Sequence, residues 1–263
     1  MHQLNFENSG YRTKERDVGF LAGHFPSLWF YCRLFAIIFA ASRKAKRGGY
    51  GYDEWAESSL GILRALESVG VKVEIEGIDN LKSLDSPCVI VGNHMSFLET
   101  VLLPVVIAPI RKVTYVIKED LLVYPVFKHV IRSRNPIAVT RTNPRKDLKT
   151  MLTQGVDRLT RGISIIVFPQ TTRSLEFDPK QLSSIGVKLA KKSGVPIVPL
   201  ALKTDALRNG KHLKDFGRLD PSRKVHLSFG RPLEINDRGD YEHQAMLEFI
   251  GSRLSRWQES DLA

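Results

Sequence analysis

A histidine and a glutamate five residues apart are the first side chains in the sequence that could do acid–base chemistry. His94 and Glu99 belong to the segment Asn93–Glu99 (NHMSFLE), which directly follows the apolar run 88–92. Histidine has a pKa near neutrality and can take a proton from a hydroxyl group. A carboxylate on its second ring nitrogen would fix the tautomer and stabilise the imidazolium. Five residues on one ideal helix lie about 140° apart, so the pair meets only if His94 precedes the helix and Glu99 lies in its first turn.

The same segment also has a purely structural interpretation. Ser96 followed three residues later by Glu99 is the pattern of a capping box, in which the glutamate accepts a backbone N–H at the start of a helix. In both interpretations Ser96 is the expected N-cap, so this segment alone leaves the role of Glu99 open.

Further polar side chains follow two other apolar runs. Residues 170–174 (QTTRS) offer an amide, three hydroxyls and a guanidinium after the run that ends at Phe168. Arg173 could hold a phosphate through two parallel hydrogen bonds. Arg141 comes directly after the run 136–140 and is another cation at the end of a strand. The alternatives are an ordinary polar turn for 170–174 and a solvated charge for Arg141.

Short β-rich runs alternate with helical stretches along most of the chain, and these elements must position the polar groups. This alternation predicts an α/β layered domain with a mostly buried, mixed sheet of about seven strands. Two prolines in Val195–Pro199 favour an edge strand or an irregular path there. The β-rich runs are 71–76, 88–92, 113–117, 136–140, 163–168, 196–202 and 224–229. The helical stretches are about 97–107, 120–131, 144–160, 181–193 and 240–258, with one more between Asp53 and Gly70.

The N-terminal part has a different composition. Residues 1–17 are polar, and an apolar stretch of 16 residues, Pro26–Ala41, follows with Arg33 inside it and a basic cluster, 43–47, behind it. A spanning helix usually needs about 20 apolar residues, so we expect a helix that lies in the membrane interface with its basic end on anionic lipid. A buried core helix and a true spanning helix are the alternatives. The glycine-rich break 48–51 predicts a boundary between an N-terminal unit, 1–50, and a main domain, 51–263.

The charge balance indicates anionic partners. Lys and Arg total 39 against 28 Asp and Glu, which gives a net charge of +11. Nucleic acid is not an expected partner, because the cations are not arranged with stacking aromatic residues or on a reading helix. The two cysteines, Cys32 and Cys88, form no disulfide framework, and the scattered histidines give no spacing typical of a metal site.

Taken in order, these segments resemble the motifs of the glycerolipid acyltransferase family, which includes the lysophosphatidic acid acyltransferases. Asn93-His94 matches the first block of that family, although Glu99 stands where aspartate is usual. Ile137–Arg141 is similar to the second block, and Arg141 matches its arginine.

The resemblance continues through about residues 70–230. Phe168–Ser174 matches the third block except at Gln170 and Thr171, where glutamate and glycine are usual. Val195–Pro199 matches the fourth block at every position, and Lys118-Glu119 is similar to a connecting segment of the family.

The resemblance implies a glycerolipid-acyltransferase-type fold and transfer of an acyl chain to the free hydroxyl of a lysophospholipid, above all 1-acyl-glycerol-3-phosphate, in phospholipid biosynthesis. The donor would be acyl-CoA or acyl carrier protein, with no metal and no other cofactor. His94 would be the catalytic base and Glu99 its orienting acid. The implied substrate-binding residues are Lys118, Arg141, Gln170, Thr171, Thr172 and Arg173.

The implied partners are the membrane phospholipid surface, the lysophospholipid acceptor and acyl carrier protein, with the protein held at the cytoplasmic face of the membrane as a monotopic or peripheral protein. The departures keep two alternatives open. Glu99 adds a methylene, Gln170 removes a charge and Thr171 adds bulk on the acceptor side. A different lysolipid acceptor, or a non-catalytic lipid-binding protein, would also fit.

Overall fold

The structure is a computed structural model that describes residues 4–7, 9–170, 172–210 and 215–262. The strands are β1 Tyr11–Arg12, β2 Val73–Glu76, β3 Val89–Gly92, β4 Val113–Lys118, β5 Ile137–Val139, β6 Ser164–Val167, β7 Ile197–Lys203 and β8 Val225–Phe229. The helices are α1 Phe20–His24, α2 Pro26–Lys46, α3 Tyr52–Glu67, α4 Asp79–Lys82, α5 Leu98–Ile107, α6 Lys128–Ser133, α7 Pro144–Thr160, α8 Ile185–Ser193 and α9 Asp240–Leu262.

All the described strands form one mixed sheet in the order β1-β2-β8-β7-β3-β6-β4-β5. The β1–β2 and β7–β8 pairs are antiparallel and the others are parallel. The predicted α/β class is therefore confirmed, but the sheet has eight strands instead of about seven. The additional strand, β1, has two residues in the polar N-terminal stretch, too few to give a periodic pattern.

Helices cover both faces of the sheet. Alternate residues of one strand enter different cores, since Ile90 packs with the helices α2, α3 and α5, whereas Val89 and Val91 pack with α7, α8 and α9. Strands β3, β6, β7 and β8 are buried at every position, as expected for strands covered on both faces. The apolar runs 88–92, 163–168, 196–202 and 224–229 thus become the four central strands.

Strand β7 is central, so of the two alternatives expected for Val195–Pro199, an edge strand or an irregular path, the edge strand is wrong. It lies between β8 and β3, and Pro199 pairs with Val91 of β3. Pairing with β8 begins only at Leu200, and the carbonyl of Pro199 accepts the N–H of Gly230 on that side. The N–H that proline lacks would point to the same side, beyond the end of the pairing between β7 and β8. Pro199 therefore removes no hydrogen bond between these two strands.

Two of the expected helices are shorter than their patterns suggest. The stretch 120–131 consists of a 3₁₀ turn, Glu119–Leu122, and then α6, with Pro125 between them. The stretch 181–193 likewise begins with a 3₁₀ turn at Pro179–Gln181 before α8. Helix α7 begins and ends as predicted, with the Asn143 side chain accepting the N–H of Lys146 at its N-cap.

The N-terminal helices form an amphipathic unit. Phe30, Leu34 and Ile38 of α2 are buried in the core that α2 shares with α3, and α2 continues from the apolar stretch into the basic cluster, ending at Lys46. Large apolar side chains on α1, on α2 and at the junction between them face solvent: Phe20, Leu21, Phe25, Leu28, Trp29 and Phe39. In the described part of the chain, no helix combines the length and apolarity that crossing a membrane requires. The membrane contact of α2 and the domain boundary near residue 50 stay predictions.

Candidate active site

The polar segments that follow the strands meet at one edge of the sheet. Strands β3 and β6 are neighbours and parallel, so the loops after them, which carry His94 and Arg173, begin side by side. Strands β4 and β5 are parallel to β6 and end at the same edge, where Lys118 and Arg141 lie. Sites in α/β folds are typically at the carboxyl ends of such strands.

Glu99 orients His94 and caps the chain at the same time. Its side chain is completely buried, and Oε2 lies 3.1 Å from His94 Nδ1. Oε1 accepts the backbone N–H of Met95 at 2.6 Å, and both oxygens accept that of Ser96 at 3.0 Å. Because a carboxylate only accepts hydrogen bonds, Nδ1 carries the proton and Nε2 is left to act as the base. Glu99 therefore makes the contacts that each interpretation expects of it, to His94 and to backbone N–H groups, and its catalytic role stays a prediction.

Ser96 is not the N-cap that the sequence suggests. Helix α5 begins at Leu98, and the Ser96 hydroxyl accepts the Leu98 N–H at 3.1 Å while donating to Thr204 Oγ1 at 2.9 Å. The Thr204 hydroxyl donates to Glu99 Oε1, also at 2.9 Å. Sequence reasoning missed Thr204, whose only signal is a hydroxyl directly after the apolar β7 run. It supplies a further donor to the buried carboxylate.

Asn93 and Phe168 hold the His94 loop against the sheet. The Asn93 side chain donates to the Leu202 carbonyl and accepts the Leu202 N–H, each at 2.8 Å, which ties the end of β3 to β7. The imidazole of His94 stacks on the Phe168 ring, with centroids 4.4 Å apart and planes 5° from parallel. The ring of His94 is therefore fixed in both position and tilt.

Arg173 contacts the Nε2 atom of His94. Its Nε donates to His94 Nε2 at 3.3 Å, which agrees with an unprotonated Nε2. Its Nη1 forms an ion pair with Asp215 Oδ1 at 2.6 Å. Asp215 is a site residue that sequence reasoning missed, because it lies in a polar stretch far along the chain with no motif around it.

The other residues of the third motif have different positions. Gln170 is buried, and its Oε1 accepts the backbone N–H of His94, so it supports the loop from behind. The Ser174 N–H donates to the His94 carbonyl at 3.0 Å. Thr172 lines the cavity beside His94, whereas Thr171 lies outside the described residues.

A cavity of about 440 Å³ extends from His94 toward α2 and α3. Its mouth carries Lys118, Arg141 and Arg173 together with the carboxylates of Asp120 and Asp215. Most of its wall is apolar and comes from Ile37, Ile38, Ile62, Phe97, Val101, Tyr115, Ile117, Leu121, Phe127, Val130, Ile131 and Phe168, among others. The site thus combines a base, a group of charges and a long apolar compartment.

Arg141 is held in an unusual backbone conformation at this mouth. Its φ of 61° lies in the left-handed region, which is uncommon for a residue other than glycine. Asp147, in the first turn of α7, accepts the Arg141 N–H at 2.7 Å and the Thr140 N–H at 2.8 Å. Desolvation lowers the pKa of Arg141, and the nearby charge of Arg173 acts in the same direction. Arg141 and Arg173 both line the cavity, and the charge of one acts on the other. Two neighbouring guanidiniums form a site suited to an anion.

One cation lies in the apolar wall. The guanidinium carbon of buried Arg134 is 4.7 Å from the ring centroid of Tyr52 and 5.5 Å from that of Trp55, and the group donates to the Tyr50 carbonyl. Burial lowers the pKa of Arg134. Arg134 lies in none of the motif segments, so the sequence did not indicate that it would line the cavity. Over the ranges that the structure describes, no cluster of three or more His, Cys, Asp or Glu could hold a metal ion.

Comparisons with known proteins identify the family to which the sequence is similar. The family model described as acyltransferase matches residues 72–203. A 1-acyl-sn-glycerol-3-phosphate acyltransferase of Pseudomonas aeruginosa is 31% identical over 57% of this chain and 55% of its own length. The chloroplastic 1-acyl-sn-glycerol-3-phosphate acyltransferase BAT2 of Brassica napus is 30% identical over 50% of this chain and 37% of its own length. The chain therefore spans about half or less of the length of these relatives.

The fold also has a counterpart among solved structures. The crystal structure of the 1-acyl-sn-glycerophosphate (LPA) acyltransferase PlsC from Thermotoga maritima superimposes with a TM-score of 0.65 at 21% sequence identity. The match covers 90% of this chain and 97% of that one. At this identity the similarity establishes the fold.

Proposed function

The chain belongs to the acyltransferase family, and from this membership we propose that it moves a fatty acyl chain from a thioester to the free hydroxyl of a lysophospholipid. The observation that carries the proposal is the position of the His94–Glu99 pair, with Nε2 at the mouth of a long apolar cavity. A base at that point can contact an acceptor hydroxyl that approaches from the solvent side. It also lies next to the carbonyl of a thioester whose acyl chain is in the cavity.

The reaction we propose is a direct transfer. The acceptor oxygen attacks the thioester carbonyl while His94 Nε2 takes the hydroxyl proton, and the C–S bond then breaks. The imidazolium, stabilised by Glu99 on Nδ1, returns the proton to the departing sulfur. A positioned base of this kind typically contributes about 10² to 10⁴ in rate.

The apolar compartment is the proposed acyl site. Its walls are aliphatic and aromatic, and an acyl chain placed there would leave water at a gain of about 25 cal/mol per Å² of apolar surface. The donor would be acyl-CoA or acyl-loaded acyl carrier protein, and the chemistry needs no further cofactor.

The acceptor we propose is 1-acyl-glycerol-3-phosphate. Arg173, Arg141 and Lys118 at the cavity mouth supply the positive charge that a phosphate monoester requires, with Thr172 beside them. The relatives from Pseudomonas aeruginosa and Brassica napus carry the name of this activity, which supports the choice.

We place the protein at the cytoplasmic face of a membrane, as a peripheral or monotopic protein. The apolar side chains on α1 and α2 face solvent, and the last turn of α2 carries Arg43, Lys44 and Lys46. A surface that pairs exposed apolar groups with cations suits the interface of an anionic membrane. Ile37 and Ile38 of α2 also line the cavity, so the proposed membrane-facing helix borders the proposed acyl site.

The test is product formation by the protein purified in mild detergent. Labelled acyl-CoA and acyl-loaded carrier protein are each supplied with a panel of lysolipids, and new diacyl lipid is measured. We expect product with 1-acyl-glycerol-3-phosphate, loss of it in His94→Ala, and little change in His129→Ala, since His129 is on α6 but does not line the cavity. Binding of lysolipid vesicles without product from any donor would overturn the proposal in favour of a lipid-binding protein.

A further inference from the structure

The charge that neutralises Arg173 comes from outside the four motif segments. Asp215 Oδ1 lies 2.6 Å from Arg173 Nη1, and both side chains are about one-fifth exposed, at 20% and 18%. Asp215 lines the same cavity, and burial together with the charge of Asp215 raises the pKa of Tyr124. The ion pair therefore lies within the proposed acceptor site.

Helix α2 holds the segment that carries Asp215. The Tyr31 hydroxyl donates to the Gly217 carbonyl at 2.6 Å, and Ser27 Oγ accepts the Leu219 N–H at 3.0 Å. The Phe216 ring packs against Phe35, with centroids 5.3 Å apart. The three α2 residues are spaced by four, so they lie on one face of the helix. The location of Asp215 is thus set by α2, independently of the loop that carries Arg173.

This arrangement conflicts with the proposed transfer. Arg173 Nε donates a hydrogen bond to His94 Nε2 at 3.3 Å. In the proposed transfer, this Nε2 atom must receive the hydroxyl proton. Arg173 Nη1 is occupied by Asp215, although the guanidinium is a proposed contact of the acceptor headgroup. An incoming headgroup must therefore compete with a carboxylate for Arg173, and must draw Arg173 away from His94 before the hydroxyl can approach.

We propose that Asp215 is a positioning residue that keeps the Arg173 guanidinium against His94 until a phosphate monoester takes the place of the Asp215 carboxylate. Asp215 thereby selects against phosphodiester acceptors. A phosphate monoester carries a charge of about −1.5 to −2 at neutral pH and outcompetes a single carboxylate for a guanidinium. A phosphodiester carries only one charge and gains no such advantage. The inference rests on the proposed function, in which Arg173 meets the acceptor headgroup.

The test compares the full chain with its Asp215→Asn variant on two acceptors, 1-acyl-glycerol-3-phosphate and lysophosphatidylglycerol. We expect the ratio of their kcat/KM values to fall about tenfold in the variant, the size of one charge-assisted hydrogen bond, mainly through a lower KM for the diester. The kcat with the monoester should change little. Asp215→Glu should restore the discrimination, and Tyr31→Phe should reduce it by a smaller factor, because it removes one anchor of the segment.

Asp220→Asn is the matched control. Asp220 follows on the same segment but pairs with Arg223, at 3.5 Å between Oδ2 and Nε, so its removal should leave the discrimination unchanged. Equal ratios in wild type and Asp215→Asn would overturn the inference. So would a fall in kcat on the monoester, since Asp215 would then hold Arg173 in its productive position.

A titration without turnover separates this inference from the proposed function. Glycerol 3-phosphate and glycerophosphoglycerol are titrated calorimetrically into the wild-type protein and Asp215→Asn without acyl donor. We expect the diester headgroup to gain more affinity than the monoester in the variant. If wild type makes no product from any donor, the proposed function fails, and this titration still decides the role of Asp215. No difference between the two proteins for either headgroup would refute that role.

Discussion

At His94, one buried carboxylate satisfies several donors at once. Glu99 accepts from His94 Nδ1, from two backbone N–H groups and from the Thr204 hydroxyl. An ionised acid without exposure is tolerated only when its oxygens are fully engaged. The additional methylene of glutamate relative to aspartate lets the side chain reach from the first turn of α5 back to the residues before it. The departure from the usual aspartate is thus built into the hydrogen-bond network.

Glu99→Gln tests the charge and Glu99→Asp tests the reach. The amide keeps the shape but loses the charge that stabilises the imidazolium, so kcat should fall by about 10² to 10⁴. The shorter acid cannot reach both the backbone and Nδ1, so we expect a smaller loss, of about 10 to 10². Both are measured as initial rates of diacyl product, with circular dichroism as the check on folding. A rate in Glu99→Gln within a factor of two of wild type would contradict the orienting role.

Gln170 gives a second prediction at the same scale. Its Oε1 accepts the His94 N–H in a buried position, so Gln170→Leu leaves that donor unsatisfied. The expected cost is about 1–3 kcal/mol in the free energy of unfolding, measured with urea. Gln170→Glu keeps an acceptor oxygen and should lose less. If the leucine variant were as stable as the glutamate variant, Gln170 would have no supporting role.

Among the elements, the junction between α2 and α3 depends on one carboxylate. Glu54 accepts the Gly51 N–H at 2.7 Å at the start of α3, and it pairs with Lys44 Nζ of α2 at 3.1 Å. The hydrogen bond from Gly51 lowers the pKa of Glu54 below its ordinary value, and the Lys44 contact adds to this. The charged form of Glu54 is therefore the form that the fold favours.

The consequence is a pH-dependent contribution to stability. Because the pKa of Glu54 is lower in the folded chain, its contribution is complete above the ordinary glutamate pKa of about 4.3 and is lost as the pH falls through the folded value. Glu54→Gln should lower Tm at neutral pH, and the difference from wild type should disappear in acid. Glu57→Gln, on an exposed position of the same helix, is the control. A Tm difference that persists unchanged in acid would exclude this origin.

Periodicity and caps predict the long elements well. Helix α7 is specified by an N-cap asparagine, a proline at its first position and regular apolar spacing, so its ends follow from local chemistry. The presence of strand β1 and the central position of β7 do not follow from local chemistry, because they depend on which strands lie alongside. Pro199 is tolerated only because β8 pairing begins one residue later. Such pairing is a property of the tertiary fold.

Across the whole molecule, the site is assembled by sheet order. The motifs identified His94, Arg141 and Arg173 in advance because each lies in the loop after a strand, and parallel strands end at one edge. Asp215, Thr204 and Arg134 could not be named, since none of them lies in a motif segment and only the tertiary fold brings them to Arg173, Glu99 and the cavity wall. Sequence motifs thus identified the groups proposed to act on substrate, and the structure was needed for the groups that hold them.

The apolar surface of α1 and α2 carries a prediction at this scale. Phe20→Ser combined with Leu28→Ser should reduce binding to anionic vesicles about tenfold or more, since burying one such side chain is worth roughly 1.5–3 kcal/mol. Binding is measured by vesicle sedimentation, and added salt should weaken it further. Tyr241→Ser, which removes an equally exposed aromatic ring from α9, should bind as wild type does. Equal losses in both variants would show that the surface is not the membrane contact.

The link between Asn93 and β7 has a consequence for hydrogen exchange. The Leu202 amide is donated to the Asn93 side chain instead of to a neighbouring strand, so its proton stays protected only while the His94 loop is in place. Its exchange rate in deuterated water then reports the opening of that loop, separately from global unfolding. Asn93→Ala should accelerate exchange at this amide and leave the rest of β7 protected. The exchange rate of this one backbone proton would thereby measure how often the His94 loop opens.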